Sequence, residues 1–397
     1  MSEYTMMPLA ENVEEMFIGP FGSSLKNDCF VDEENGFCMV YEQKHAIQKT
    51  MDVETRFVDE KKYNELKRFN IHGGDIIVSC RGTIGETFVV PEDAPLGIMH
   101  PSIMKIRLKD GVYDKFYFNL LLQKRLKGHE AEANGSGIKM AISAKALGAE
   151  LFPVPTMKEQ KQITDVISKV QRIIDARQMK LVYLDELIKA RFVEMFGDIK
   201  TNSLGWETKT FDECFDITSS KRILKSEWKA EGIPFLRVRD MVQLATTGTM
   251  DNEFFVSEAF YATLSDSDGI PRTGDILVSA TSTLGKCHLV KEGERFYFKD
   301  ADVLRFRIKE KIEPQFFIDQ LKSDYIEEQI ARTLGVTTVA HFTIKAAKTI
   351  KLRIPKVELQ EEYAKFVKQV EKSKAVVQKA LDKAQLLFDS LMQKYFG

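Results

Sequence analysis

The sequence predicts an α+β protein: two homologous mixed α/β domains, joined and spaced by two long antiparallel helices that form a coiled coil with pseudo-twofold symmetry. Three observations carry this. The chain repeats itself 200 residues on without a gap, so that HGGDIIVSCRGTIGETFVV (72–90) lies over RTGDILVSATSTLGKCHLV (272–290) with 8 of 19 positions identical, where average composition gives about one. A period this long marks a duplicated domain, since solenoid units run about 20 to 50 residues. Short β-rich runs fill the first part of each half, and each half closes on a stretch that has no Pro or Gly until a terminal Phe-Gly, at Phe196-Gly197 and Phe396-Gly397. The expected boundaries are a first domain at 1–155, a first long helix at 156–198, a second domain at 199–355 and a second long helix at 356–397.

In the first domain the β-rich runs are GFCMVYE, DIIVSC, TFVVPE and IMKIRLK, and their counterparts are IPFLRVRD, DILVSA, CHLVKE and VLRFRIK. Each is bounded by Gly, Asp or Pro, the usual punctuation of strands. Between them KKYNELKRF and DKFYFNLLLQKRLKGH read as helices, the latter matched by PQFFIDQLKSDYIEEQIA. Each domain is therefore expected to surround a small, strongly bent sheet. The register also pairs Arg107 with Arg307, Phe116 with Phe316, Gly135 with Gly335, Lys145 with Lys345, Pro155 with Pro355 and Gln160 with Gln360.

After Pro155 and Pro355 each helix has room for about 40 residues, roughly 60 Å. Ile163, Val166, Ile167, Val170, Ile173, Ile174, Leu181, Leu184, Ile188, Phe192 and Met195 form one apolar stripe. Leu359, Tyr363, Phe366, Val367, Val370, Val377, Leu381, Leu387, Phe388, Leu391 and Tyr395 form the other. Spacings of three and four with charged flanks make coiled-coil seams. The first helix leads away from the first domain and the second must return along it, so the pair is antiparallel. Arg177, Lys180 and Arg191 interrupt or flank the first stripe, where polar groups set register or meet a partner.

Composition narrows the function classes. With 44% hydrophobic and 29% charged residues the chain is ordinary for a globular protein, and its net charge is −2. Lys and Arg number 18 against 23 Asp and Glu in residues 1–155, and 23 against 23 in 200–355. Any nucleic-acid face must then come from asymmetric placement of charge. The five cysteines form no CxxC pair, which argues against a zinc site or disulfide framework and for a cytoplasmic setting. No 18-residue apolar run and no basic-then-apolar leader is present, so no membrane association is expected. There is no GxxxxGK[ST] loop, no HExxH, no GxSxG and no Pro-Pro pair. Neither catalysis nor a cofactor is expected.

The double domain-plus-helix repeat, Gly19-Pro20-Phe21-Gly22-Ser23-Ser24-Leu25-Lys26, the twice-used Gly-Asp-Ile-Ile/Leu-Val-Ser with Thr-x-Gly after it, Gly135-Ser136-Gly137 and the Pro-x-x-x-x-Gln helix entries together resemble the specificity subunit of type I restriction and modification systems. The resemblance covers essentially the whole chain. It implies two target recognition domains, each reading one half of a split double-stranded DNA site, with the helices as a ruler for the unread gap. It implies as partners two DNA adenine methyltransferase subunits and, through the complex, motor-nuclease subunits. It also implies that this chain is not itself catalytic. The alternative is a scaffold that docks proteins rather than DNA at both domains, with the coiled coil as a strut.

With that resemblance the candidate DNA-binding residues fall in four places. Gly19, Phe21, Gly22, Ser23 and Lys26 offer backbone NH groups and a lysine to phosphates, with Ser220, Lys221 and Arg222 in the second domain, where Thr218-Ser219-Ser220-Lys221-Arg222 departs from the first domain's pattern. Ser79, Arg81 and Thr83, with Ser279, Thr281 and Thr283, lie on the turn after a strand. An arginine there can meet guanine, and the same residues also suit a plain tight turn. Asn134, Ser136 and Lys139, with Thr337, Thr338 and His341, form a polar loop before the last strand. Arg237 and Arg239 in FLRVRD are expected on one face of a strand, where Tyr41 and Gln43 stand in the first domain.

Overall fold

The computed structural model describes residues 4–81, 83–136, 143–250, 252–265, 268–281, 285–300, 302–334 and 342–397. The chain divides into two compact units, Met1–Gln178 with Ala380–Gly397, and Met179–Lys379.

In chain order unit 1 contains β1 (Thr5–Pro8), β2 (Val13–Ile18), β3 (Cys38–Tyr41), α1 (Gln43–Gln48), β4 (Phe57–Val58), α2 (Glu60–Leu66), β5 (Asn70–Ile71), β6 (Ile76–Ser79), β7 (Thr87–Val89), β8 (Gly97–Met99), β9 (Ile103–Leu108), α3 (Lys115–Ser136), α4 (Ala144–Ala149), β10 (Leu151–Val154) and the first part of α5 (Met157–Phe196). The single bent sheet expected is in fact several. An antiparallel sheet has the order β2-β9-β6-β7, a second has β4-β3-β8-β5 with β3 and β8 parallel, and β1 pairs with β10.

Alternation along the strands explains the layering. Successive side chains of a strand point to opposite faces, and all four residues of β6 are buried. Ile76 and Val78 join Met104, Ile106, Tyr117, Phe118, Leu122, Phe152 and Ile163 in one core. Ile77 faces the other way, among Met39, Tyr41, Ala46, Ile71 and Met99. Cys38 and Val40, on the far face of β3, enter a third core with Leu25, Val58, Leu66 and Ile98. A strand buried on both faces reads as an unbroken apolar run, as DIIVSC does.

Unit 2 repeats this plan with the remainder of α5, β11 (Glu207–Thr210), α6 (Phe211–Cys214), β12 (Phe215–Thr218), β13 (Ile233–Leu236), α7 (Val238–Thr247), β14 (Phe255–Val256), α8 (Glu258–Thr263), β15 (Ile276–Ser279), β16 (Cys287–Leu289), β17 (Tyr297–Phe298), β18 (Val303–Ile308), α9 (Pro314–Leu321), α10 (Asp324–Leu334), α11 (Ile344–Thr349), β19 (Lys351–Ile354) and the start of α12 (Val357–Phe396). Its sheets are β12-β18-β15-β16, β14-β13-β17 and β11-β19. PQFFIDQLKSDYIEEQIA breaks into α9 and α10, where α3 is one helix.

The repeated letters have structural work. Asp75 and Asp275 are buried; each accepts from the main chain three residues earlier, His72 N and Arg272 N at 2.8 Å, and each pairs through both oxygens with Arg107 or Arg307. Gln160 is fully buried, accepts from Asp114 N at 2.8 Å and donates to Val112 O and Pro155 O. Gln360 does the same with Glu313 N and Pro355 O. The Pro-x-x-x-x-Gln signature is thus a clasp tying a long-helix entry to the turn that opens α3 or α9.

Within each unit the long-helix segments run antiparallel. In unit 1 Val170 and Ile174 pack with Leu381, Ala384 and Phe388, while Phe396 meets Tyr117 at a ring distance of 5.3 Å. In unit 2 Phe192 and Phe196 meet Tyr363 at 5.4 and 5.3 Å, and Lys374 reaches Asp185 at 2.7 Å. Val166, Ile173 and Leu387, read as seam residues, are 39%, 46% and 51% exposed and lie outside it. Among the described residues no helix is long and apolar enough to cross a membrane.

Candidate nucleic-acid interface

In each unit three loops depart from one short segment; two of the three bonds that hold them are equivalent backbone bonds, and the third is a backbone bond in unit 1 and a side-chain bond in unit 2. In unit 1 His100 N donates to Tyr41 O, Cys80 N donates to Ser102 O, and Gly19 N donates to Ile103 O, each at 2.8 to 2.9 Å. In unit 2 Lys299 N donates to Leu236 O, Ala280 N donates to Asp302 O, and the Ser219 hydroxyl donates to Val303 O at 3.0 Å. His100, Ser102 and Ile103, and in unit 2 Lys299, Asp302 and Val303, therefore form hubs. From each leave the loop after β2 or β12, the turn after β6 or β15, and the chain running from β3 into α1 or from β13 into α7.

The first loop is pinned at both ends. A Cβ on Gly19 would lie 2.3 Å from His100 O, so only glycine permits this approach. Pro20 is buried, and Leu25 sits in the core with Val40 and Ile98. Between these anchors Phe21 is 85% exposed and Gly22 and Ser23 face solvent, as does Lys26 just past Leu25. In unit 2 the anchors are Ser219 and Ile223, the latter packed with Phe235 and Tyr297. The Tyr297 hydroxyl donates to Asp268 O and accepts from Lys221 N. Lys221 and Arg222 are exposed between them, whereas Ser220 is buried.

The second loop divides its candidates. Ser79 and Ser279 are fully buried, and their hydroxyls accept from Glu86 N and Lys286 N at 3.0 Å. This corrects the expectation that they face DNA: they tie the turn from within. Gly85 and Gly285, at φ +85° and +77°, complete it. Arg81 and Thr83 are exposed, Thr281 is half-buried, and Thr283 lies outside the described residues.

Two further expectations change. Arg237 and Arg239 share no strand face, because β13 ends at Leu236; Arg237 caps α7 and Arg239 lies in its first turn. Tyr41 is fully buried, its hydroxyl donating to Pro95 O at 2.7 Å, and Gln43 begins α1. Asp240, three residues into the cap, explains the switch to helix: its Oδ2 accepts from Arg237 N at 3.0 Å, a capping geometry that ends the strand. Asn134 and Ser136 belong to α3 rather than to a loop, and Lys139, Thr337, Thr338 and His341 lie outside the described residues.

Charge around the first hub is predominantly positive. Burial lowers the His100 imidazole pKa; Glu42 opposes this, while Arg56, Arg81 and Lys44 push it lower still. His100 Nδ1 also lies 2.7 Å from the Ser102 hydroxyl. Lys44, Arg56 and the hub itself escaped the sequence reading, since they are brought near His100 only by the pairing of β3 with β4 and β8. At the second hub Lys299 pairs with Asp302 at 2.6 Å.

A family profile described as "Type I restriction modification DNA specificity domain" matches residues 11–182 and again 203–385. The chain belongs to this family. The type I specificity family accounts for the duplication, since the profile matches once in each half. Relatives include the type I restriction enzyme MjaVIII specificity subunit of Methanocaldococcus jannaschii, 23% identical over 323 residues, covering 77% of this chain and 74% of that one. The EcoBI specificity subunit of Escherichia coli is 21% identical over 357 residues, covering 82% and 73%. In fold, the chain is similar to the type I S subunit from M. genitalium, with a TM-score of 0.56 and 17% identity over 100% of this chain and 97% of that one. A chain from a structure describing assembly and conformational transition of the type I R-M system aligns with a TM-score of 0.61 and 15% identity over 100% and 98%. The role of the type I specificity family is DNA recognition.

Proposed function

We propose that each unit of this specificity subunit reads one half of a bipartite, asymmetric target in double-stranded DNA, while α5 and α12 set the gap and dock DNA adenine methyltransferase subunits, two in number, through which motor-nuclease subunits join. The observation that carries this reading is the twice-built hub: one backbone scaffold presents the same three loops in both units, and the exposed residues on those loops differ. Shared geometry with different side chains suits two modules of one kind that read different sequences. Gly19, Phe21, Gly22, Ser23, Lys26, Arg81 and Thr83 in unit 1, and Lys221, Arg222, Arg237, Arg239 and Thr281 in unit 2, are the exposed or half-exposed candidates. Lysines and arginines at loop tips suit phosphates, which position a protein on the duplex, while base edges supply specificity. Chemistry on the DNA falls to the partner subunits.

Mapping N6-methyladenine across a genome, with the methyltransferase subunit present and with or without this chain, tests the reading. A split, asymmetric motif that vanishes without the chain is expected. Methylation indifferent to the chain overturns it in favour of a protein-docking scaffold.

A further inference from the structure

The surroundings of the first hub single out one side chain. Val40 N donates to Arg56 O at 2.8 Å as Phe235 N donates to Phe254 O at 2.9 Å, and Val31 N donates to Phe57 O as Lys229 N donates to Phe255 O. Arg56 therefore stands where unit 2 has Phe254, and Phe30 where unit 2 has Trp228. In unit 2 these two rings pack on each other with centroids 4.4 Å apart. In unit 1 a guanidinium replaces the second ring: Cζ of Arg56 lies 4.0 Å from the centroid of Phe30. Its Nη2 donates to Oε1 of Glu42, a residue only 8% exposed, which Lys44 also reaches at 2.9 Å.

We propose that Arg56 is the base-reading arginine of the first recognition unit, presenting its guanidinium to O6 and N7 of one guanine in the half-site. This rests on the reading of the chain as a two-headed DNA reader. A guanidinium is planar and its donors form a rigid fork; stacked on a ring and tied to a buried carboxylate, it has little conformational freedom left to lose on binding. Among the described residues Glu42 is the only side chain bonded to it, so Nη1 remains open, and the side chain is 34% exposed. Its place is right as well, since Glu42 directly follows Tyr41, whose carbonyl holds the hub. Arginine to guanine is the commonest specific base contact.

Unit 2 also stacks a guanidinium here, with two of its three nitrogens engaged by carboxylates. Arg237 lies 4.5 Å over Phe254, with Nε bonded to Asp240 at 2.9 Å and Nη2 to Asp240 and Glu253 at 3.3 and 3.0 Å. The guanidinium stacked on the ring at this place thus meets one carboxylate through Nη2 in unit 1, and two carboxylates through Nε and Nη2 in unit 2. The two half-sites then differ at the base beneath it.

The test is N6-methyladenine mapping with the chain and its methyltransferase, comparing wild type, Arg56→Lys and Glu42→Gln. Arg56→Lys keeps the charge and loses the fork, and preference for guanine at one position of one half-site is expected to relax about 10- to 100-fold, with the other half-site and the gap unchanged. Glu42→Gln, which frees the guanidinium without removing it, is expected to relax the same position less, and it decides the matter if Arg56→Lys does not fold. An unchanged motif in the folded variants, or a uniform loss across all sites with every letter retained, overturns the assignment. A wild-type chain that directs no motif overturns the two-headed reading itself, a separate and recognisable failure.

Discussion

Arg107 grips Asp75 through both carboxylate oxygens at 2.7 Å, and the same fork recurs 200 residues on between Arg307 and Asp275 at 2.8 Å. Asp75 also caps the turn before β6, so one buried carboxylate joins a turn to the neighbouring strand β9. Removing it leaves a guanidinium only 22% exposed with Glu15, at 3.0 Å, as its remaining carboxylate. Asp75→Ala should destabilise unit 1, and Asp275→Ala unit 2, by about 3 kcal/mol each, read from urea unfolding.

Gln160 satisfies three backbone groups at the entry to α5, and its own amide is fully buried. Gln160→Ala should cost about 2 to 4 kcal/mol and speed amide exchange at Asp114. Gln160→Glu should do comparable harm, because a carboxylate cannot donate to Val112 O and Pro155 O.

Gly19 has no room for a methyl group against His100 O. Gly19→Ala should therefore shift the Phe21–Ser23 loop at a cost of about 1 to 3 kcal/mol. DNA affinity of the assembled complex should fall by more than the lowered melting temperature explains.

Arg81 is exposed on a turn whose geometry Ser79 and Gly85 hold without it. Arg81→Ala should leave stability within about 0.5 kcal/mol. If it touches a phosphate, the slope of log K against log salt drops by about one while the motif stays the same; a changed motif would make it a base reader.

His45 is fully buried, its Nδ1 accepting from Glu42 N at 3.0 Å, and burial holds its pKa below the ordinary imidazole value against a raising influence from Glu42. The unfolded chain takes up the proton near pH 6.5 and the folded one resists it. Stability should therefore be full above about pH 6.5 and fall as the pH drops below it. His45→Asn, whose amide oxygen can still accept from Glu42 N, should flatten that decline in denaturation curves measured from pH 7.5 to 5. His100, also held low chiefly by burial, should leave a residual slope.

Much of the fold was legible because the duplication compares the chain with itself. Letters shared at a 200-residue offset, such as Asp75 and Asp275 or Gln160 and Gln360, mark what both units need, and each proves to hold backbone or a buried charge. The same comparison could have exposed Lys105 and Arg305, buried cations on β9 and β18 that pair with Glu15 at 2.6 Å and Asp216 at 2.9 Å. They passed unnoticed because a cation inside a strand reads as its solvent face. The candidate interface was less legible. Ser79 and Arg81 are two residues apart on one turn, yet one is sealed and the other free, and local sequence carries no signal for that difference. FLRVRD alternates like a strand, but a side-chain cap from Asp240 wins at Arg237, a tertiary and capping choice that outweighs a six-residue pattern.

The sequence by itself determined the duplication and the two 40-residue helices, because these follow from periodicity, from Pro and Gly placement and from letters repeated under one register. Tertiary structure alone decided which side chains converge. Phe30, Glu42 and Arg56 are separated by 12 and 14 positions, and only the pairing of β3 with β4 and β8 puts them together beside His100. Local periodicity sets what a segment becomes; long-range backbone pairing sets what it meets.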